Sequence, residues 1–477
     1  MLLLFAGAVG HGGAAPAQTP QVGIRSQPLA TPVASGQPRL FESLPPERTG
    51  LDFIYRWNES HQYEKLLNSS AVGGGVCVGD YDGDGLPDVC LTRPAGGPRL
   101  YRNLGGFHFT NVTGQAGLRD EGVWSTGATF ADINNDGRPD LYVCCYDGPN
   151  RLYLNQGNGT FLEQAKAFDL DFNGASFMMA FGDYDRDGHL DGYLLTGGLM
   201  PKPSQRFRVK FVEGRPVVPE ELQEFWQLIY QPGERAAMAE AGQFDHLFHN
   251  NGNGTFTDVS QAAGIRGCDF GNAVVWWDYN GDGWPDLYVA NDYFGADRLY
   301  RNNGNGTFTD IAREALPHTP WTSMGADSAD INNDGLPDLI ASDMSGTTHY
   351  KRMVDLGDME KSGWFLDLPE PRQYLRNAVF LNTGTDRFME VAYLTGLAST
   401  DWTWSILFGD LDNDGREDVF VPNGMTRDWM DNDLAMQTQA LPPPEMARFW
   451  RAQPVRRDPN LAFKNLGDLR FKNVTEE

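Results

Sequence analysis

DYDGDGLPD, residues Asp80 to Asp88, is the stretch from which the rest of the chain is read. It returns five times with small changes: DINNDGRPD (Asp132–Asp140), DYDRDGHLD (Asp183–Asp191), DYNGDGWPD (Asp278–Asp286), DINNDGLPD (Asp330–Asp338) and DLDNDGRED (Asp410–Asp418). Every copy has Asp at its first place, Asp or Asn at the third, Asp at the fifth, Gly at the sixth and Asp at the ninth. Hard oxygen donors at alternate positions, with a Gly where the backbone turns sharply, are what a calcium loop requires. The ligand sets read from this pattern are Asp80, Asp82, Asp84 and Asp88; Asp132, Asn134, Asp136 and Asp140; Asp183, Asp185, Asp187 and Asp191. The later three are Asp278, Asn280, Asp282 and Asp286; Asp330, Asn332, Asp334 and Asp338; Asp410, Asp412, Asp414 and Asp418. Calcium takes about 6–8 oxygens, usually including a backbone carbonyl near the seventh place. Here those carbonyls belong to Leu86, Arg138, His189, Trp284, Leu336 and Arg416. An EF-hand would close on a Glu at the twelfth place between two helices. These loops end at the ninth-place Asp and run into DVCLT, DLYVC, DLYVA, DLIAS and DVFVP, which read as strands.

The loops account for much of the charge. The chain carries a net −26, and 21 of its 64 acidic side chains are loop ligands. Six divalent ions, twelve positive charges, would bring that to −14. Such a balance excludes a nucleic-acid partner, which needs a basic face, and argues against attraction to anionic membranes. At 477 residues the chain is long enough for two to four domains or one large repeat architecture. Its 55 Gly and 29 Pro suit short strands and turns. Cys77, Cys90, Cys144, Cys145 and Cys268 form no CxxC pair, which sets aside a zinc or thioredoxin-like motif. Cys77 and Cys90 flank the first loop on adjacent expected strands; buried thiols are favoured there over a disulfide.

Ahead of the loops, MLLLFAGAVG is a short apolar run followed by Ala15-Pro16-Ala17, the small-residue pattern of a signal-peptide cleavage site. Residues 1–17 are expected to be a secretion signal, and the Pro-, Ser- and Thr-rich 18–38 a flexible linker. The apolar run is too short to span a bilayer, and no later stretch is long and apolar enough. The protein is expected to be secreted, periplasmic or at the cell surface, where calcium near millimolar fills even weak sites.

A second phrase alternates with the loops. Its copies are LYRNLGGFHFTNVTGQAGL (100–118), LYLNQGNGTFLEQAKAFDL (152–170), LFHNNGNGTFTDVSQAAGI (247–265), LYRNNGNGTFTDIAREAL (299–316) and VFLNTGTDRFMEVAYLTGL (379–397). AFKNLGDLRFKNV (462–474) is a truncated copy at the end, and LFESLPPERTGLDF (40–53) a half copy at the start. Each full phrase is an alternating apolar run ending in Asn, a Gly-rich turn, and a second run around Phe, the pattern of a β-hairpin. With a strand on either side of the calcium loop this makes about four strands per unit. Loop-to-loop spacings are 52, 51, 95, 52 and 80 residues, a period near 52 with two insertions. Four strands at that period predict an all-β fold, a β-propeller of four-stranded blades over residues 39–477. Insertions are expected at about 200–245, 345–376 and 425–460. The first is expected to hold a helix behind Pro219, with Leu222, Phe225, Trp226 and Ile229 on one face. The third places Met446, Phe449 and Trp450 at helical spacing behind three prolines. Irregular segments on a rigid scaffold often carry function, so a binding surface is expected there.

The alternation of DxDxDGxxD loops with LYRNNGNGTFTDV-like phrases resembles FG-GAP/VCBS repeats, the blade unit of the integrin α-subunit propeller. Residues 382–428, with RTGLDFIYRW and GGGVCVGDYDGDGLPDV near the start, resemble more specifically the bacterial members of the cartilage acidic protein 1, or ASPIC/UnbV, family. The resemblance implies an exported, calcium-binding, integrin-like propeller with a binding or adhesion role. It also implies a seventh blade and a following ASPIC/UnbV domain, whereas the sequence given stops at RFKNVTEE. An incomplete seven-bladed ring is the expectation; six blades closed by the two partial copies is the other reading.

Asn134, Asn280 and Asn332 lower the ligand charge of their loops, which are expected to bind calcium more weakly. Serial sites embedded in every blade point to a structural rather than a sensing ion. His246 and His249 suggest a metal pair, but His249 stands where other copies have Arg102, Leu154 and Arg301, so a blade position is favoured. Trp276, Trp277, Trp402 and Trp404 suit a sugar-stacking site and, more commonly, a core; the core is favoured. The sequence has no GxSxG, SxxK, HExxH or P-loop motif. The function expected is a non-enzymatic protein- or glycan-binding module. The alternative is a polysaccharide lyase or glycoside hydrolase on a propeller scaffold, and a third reading is a structural fragment of a larger surface protein.

Overall fold

A computed structural model of the chain describes residues 41–55 and 74–475, apart from 119–121, 123, 200–209, 213–214, 224, 231–235, 268, 293–294, 356–370, 426, 429–430 and 439–440. The expected signal and linker (1–38) and Cys268 lie outside the described residues.

The described residues form a β-propeller whose units each contain four antiparallel strands around one Asp-rich loop. The first blade is Val76–Gly79, Asp88–Leu91, Arg99–Asn103 and Phe109–Asn111. Blade two is Ser125–Ala131, Asp140–Pro149, Arg151–Asn155 and Phe161–Glu163. Blade three is Asn173–Gly182, Asp191–Thr196, His246–Asn250 and Phe256–Asp258. Blade four is Phe270–Trp277, Asp286–Asp292, Arg298–Asn302 and Phe308–Asp310. Blade five is Ala326–Ala329, Asp338–Ala341, Ala378–Asn382 and Phe388–Glu390. Blade six is Leu407–Gly409, Asp418–Val421, Leu461–Asn465 and Phe471–Asn473. Blades two and three merge into one eight-stranded sheet, because Asp140–Pro149 is long enough to pair with Asn173–Gly182 at Tyr146↔Ala175.

The second strand of each blade is apolar on both sides because both sides are covered. Leu141 and Val143 face blade one with Tyr81, Cys90 and Leu100, while Tyr142 and Cys144 face blade three with Met179 and Leu194. Three more such blade-to-blade cores carry the packing on to blade six. Fully burying one Leu or Phe of this kind contributes roughly 1.5–3 kcal/mol. A single helical turn after the fourth strand ends in a left-handed Gly, such as Gly264 at φ 85°. A Cβ there would stand 2.9 Å from the Phe308 carbonyl oxygen of the next blade, so only Gly permits the close approach.

The opening half copy repeats that contact. Its turn Pro46–Thr49 ends in Gly50, φ 74°, pressed on the Phe109 carbonyl of blade one. Leu51 and Phe53 pack on blade one, Asp52 accepts from the Tyr101 hydroxyl at 2.9 Å, and the Phe41 ring lies 6.0 Å from that of Phe420 in blade six. Residues 41–55 thus touch both the first and the last blade described, without forming a strand.

The helix expected behind Pro219 is not formed. Only one 3₁₀ turn, Glu220–Leu222, follows the proline; Trp226–Tyr230 is a strand paired with Ala236–Glu240, and a second short hairpin joins Lys210–Val212 to Arg215–Val217. WQLIY is aromatic and β-branched, and a short apolar run fits either period, so hairpin pairing decides. The other two insertions do carry helices: His349–Asp355, Asn432–Thr438 and Pro443–Ala452. Trp450 on the last of these is buried. The Cys77 and Cys90 thiols are free and face each other across the first two strands.

Candidate metal centre

Each loop is shaped by its own carboxylates. The first-place Asp accepts the fifth-place N–H on Oδ1, at 2.9–3.1 Å in all six copies. Its Oδ2 accepts the sixth-place Gly N–H at 2.7–3.1 Å. The fifth-place Asp accepts the seventh-place N–H at 2.8–3.1 Å. The fourth place is left-handed throughout: Gly83, Asn135, Arg186, Gly281, Asn333 and Asn413 all have φ between 57° and 73°. Gly and Asn tolerate that region best, a signal present in the sequence and missed there.

The ninth-place Asp joins loop to blade. Asp88, Asp140, Asp191, Asp286, Asp338 and Asp418 are buried. One oxygen accepts the second-place N–H of the loop at 3.0–3.3 Å. The other accepts the N–H of the Asn that ends the third strand at 2.7–2.8 Å. Burial outweighs these bonds and pushes the carboxyls up, to about 7 for Asp88, Asp286 and Asp338 and about 8 for Asp191.

That strand-ending Asn ties neighbours together. Asn155, Asn250, Asn302, Asn382 and Asn465 each donate from Nδ2 to the eighth-place carbonyl of their own loop. Each also donates to the second-place carbonyl of the previous blade's loop, at 2.6–3.1 Å. Loops also meet directly: Asn135 donates to the Gly188 carbonyl, Arg186 lies over the Trp284 ring at 5.2 Å, and Asn333 donates to the Gly415 carbonyl.

In the first, third and sixth loops, the carboxylates of places one, three and nine offer oxygens within 4.8 Å of one another: Asp80, Asp82, Asp88; Asp183, Asp185, Asp191; Asp410, Asp412, Asp418. Asp412 is buried and its Oδ1 has no hydrogen-bond partner among the described residues. An all-oxygen set of this kind fits a hard divalent cation and not a soft one. In the second, fourth and fifth loops the third place supplies the amide oxygens of Asn134, Asn280 and Asn332, each accepting the fifth-place N–H.

The two histidines part company. His246 pairs with Asp258 at 2.7 Å, whereas His249 places Nδ1 3.2 Å from Asp185 and 3.3 Å from Asp191. The tryptophans are packing residues: Trp277 is in the core between blades four and five, Trp276 donates to the Ala180 carbonyl, and Trp402 packs with Met324, Met344 and Met425. A second repeated hub escaped the sequence reading. Asn150, Asp245, Asp297, Asn377 and Asn460, each just before a third strand, accept a backbone N–H from the end of the second strand at 2.7–3.0 Å. Their signal was the Asp or Asn before RLYLN, HLFHN, RLYRN, AVFLN and LAFKN. Burial pushes Asp245 and Asp297 up to about 7. No helix among the described residues is long and apolar enough to cross a membrane.

The sequence matches the FG-GAP-like repeat family over residues 80–143, 132–193, 237–289, 278–341 and 372–421. It is similar to mouse cartilage acidic protein 1, 31% identical over 91 residues, 19% of this chain and 14% of that protein. The human protein of that name is 33% identical over 82 residues, 17% of this chain and 12% of its own length. The matches thus span about a seventh or less of these relatives. Among solved structures, an Agrocybe aegerita lectin specific for non-reducing terminal N-acetylglucosamine matches 85% of this chain and 81% of its own, at 16% identity and TM-score 0.43.

Proposed function

Because the chain belongs to the FG-GAP-like repeat family, we propose that it is an exported binding module whose propeller is stiffened by one calcium ion in each Asp-rich loop. The observation that supports this most is the repetition of one preorganised oxygen set. In all six loops backbone N–H groups hold the first- and fifth-place carboxylates in the same way, and in the first, third and sixth the oxygens of places one, three and nine lie within 4.8 Å of one another. The residues at places one, three, five and nine would hold the ion, which supplies charge neutralisation and no chemistry. The chain's own residues do the rest. The ninth-place Asp transmits loop geometry to the second and third strands, and the strand-ending Asn passes it to the previous blade. Thermal unfolding in calcium and in excess chelator tests this. A ligand bound only by the folded state at 100 times its Kd adds about 2.7 kcal/mol, so melting falls clearly on chelation; an unchanged melting temperature refutes it.

Ligand recognition is assigned to the insertions of blades five and six. They meet where Asn432 donates to the Val354 carbonyl at 2.7 Å and Lys351 stands 3.7 Å from Asp458. Their helices leave Tyr350, Met353 and Met436 each about two-thirds exposed. Large apolar side chains held outward on a rigid frame suit a protein or carbohydrate partner. Binding to a glycan array, lost on Tyr350→Ala with Met436→Ser while melting is unchanged, supports a carbohydrate partner; array binding that survives the change places recognition elsewhere.

A further inference from the structure

The fourth residue of the third strand meets the Asp-rich loop in three blades and differs in kind among the six. These residues are Arg102, Leu154, His249, Arg301, Leu381 and Lys464. They vary in step with the loop's third place. Where that place is Asp, a nitrogen faces it. Arg102 Nε lies 2.5 Å from Asp82 and its Nη2 3.0 Å from Asp84. Lys464 pairs with Asp412 and stands 3.1 Å from Asp414. His249 is 3.2 Å from Asp185. Where the third place is Asn134 or Asn332, the residue at that strand position is Leu154 or Leu381. In the fifth loop Asn332 takes over the polar contact itself, donating to Asp334 Oδ2 at 2.9 Å. In the fourth loop Asn280 likewise donates to Asp282 Oδ2 at 2.9 Å, and Arg301 on the third strand makes no ion pair with that loop among the described residues.

Resting on the calcium reading above, we propose that this strand residue is the affinity-setting partner of its loop: Arg102 and Lys464 offset the third-place carboxylates Asp82 and Asp412, so that the first and sixth loops present a net charge similar to that of the Asn-bearing fifth loop. Four carboxylates with a cation leave three negative charges, as do the three carboxylates of the fifth loop with Leu381 on the strand; in the second loop Arg138 pairs with Asp136 and two remain. The third-place Asp therefore brings no gain in affinity while Arg102 or Lys464 stands beside it. The second loop, with Arg138 on Asp136, and the fourth, with three carboxylates and Arg301 on its third strand, are the weakest sites. The outer oxygen of Asp82 or Asp412 is held by its cation, leaving the buried, unpartnered Oδ1 of Asp412 for the metal.

The test is calcium titration of the full chain against a chromophoric chelator, for wild type, Arg102→Leu, Lys464→Leu and Leu154→Arg. A unit charge at roughly 5 Å from a divalent ion in a water-like dielectric changes binding about tenfold. Arg102→Leu and Lys464→Leu are each expected to tighten one site about tenfold, and Leu154→Arg to loosen one by as much. The opposite signs separate a charge effect from a packing defect, which would weaken binding in all three. Curves superimposable on wild type, or weakening in every folded variant, overturn the proposal. Wild type that takes up no calcium overturns the calcium reading beneath it.

Discussion

Asn302→Ala is the substitution that reads the blade-to-blade tie most clearly. Asn302 is buried and makes three side-chain bonds. Nδ2 donates to the Tyr184 carbonyl in the previous loop at 2.8 Å and to the Pro285 carbonyl at 3.0 Å, and Oδ1 accepts from Gly304 N–H at 2.9 Å. An average net hydrogen bond contributes about 1 kcal/mol, and leaving a buried partner unsatisfied costs about 1–3 kcal/mol. The expected loss is therefore about 3–4 kcal/mol. Asn103 in the first blade is the control. It keeps the bonds to Pro87 and Gly105, at 2.8 and 2.9 Å, but makes no bond to another blade's loop among the described residues. Asn103→Ala should cost about 1–2 kcal/mol less. Guanidinium denaturation in saturating calcium, with the midpoint followed by tryptophan fluorescence, compares the two directly. Equal losses would refute the reasoning, since the inter-blade carbonyl would then contribute nothing.

Further outcomes follow from the same geometry. Asp245 and Asp297 are buried carboxyls raised to about 7, so the folded state keeps protons that the unfolded chain releases near pH 4. Their contribution is present at low pH and is lost as pH rises from about 4 through about 7. Asp245→Asn, which copies Asn150 and Asn377 in other blades, should match wild type near pH 4 and exceed it at pH 8, by at most about 4 kcal/mol; parallel pH profiles would contradict this. Gly264→Ala forces a Cβ into the left-handed region and against the Phe308 carbonyl, and should lower stability by about 2 kcal/mol or more in thermal unfolding. Leu287→Ala, in the core between blades three and four, should cost about 2–5 kcal/mol and leave calcium stoichiometry unchanged.

The blade was legible because its parts are local. DxDxDG with a ninth Asp, Asn-Gly turns and alternating apolar runs each act within a dozen residues, so their order on the chain is their order in the sheet. The strand-ending Asn was visible as the last letter of LYRN, but its second bond crosses 118 residues to Tyr184, and nothing local announces it. The Asp245 and Asp297 hub did have a local mark, the Asp ahead of the third strand, but for Asp245 the backbone partner Thr196 stands 49 residues away on another strand. In the insertion behind Pro219, the i, i+3, i+4, i+7 spacing of Leu222 to Ile229 matched a helix, yet pairing with Ala236–Glu240 overrode it. The coupling of the third loop place to the fourth strand residue was written in the sequence as Asp82 with Arg102 and Asn134 with Leu154. It becomes readable once the structure brings Arg102 to 2.5 Å from Asp82.

Calcium content is the most direct measurement of whether the Asp-rich loops hold ions. Protein dialysed against calcium-containing buffer, then weighed by native mass spectrometry, should carry close to six calcium ions per chain, one for each Asp-rich loop, and should lose them together with its thermal stability on chelation. A chain that holds no calcium after dialysis at millimolar concentration, and melts at the same temperature with or without chelator, would contradict the calcium reading.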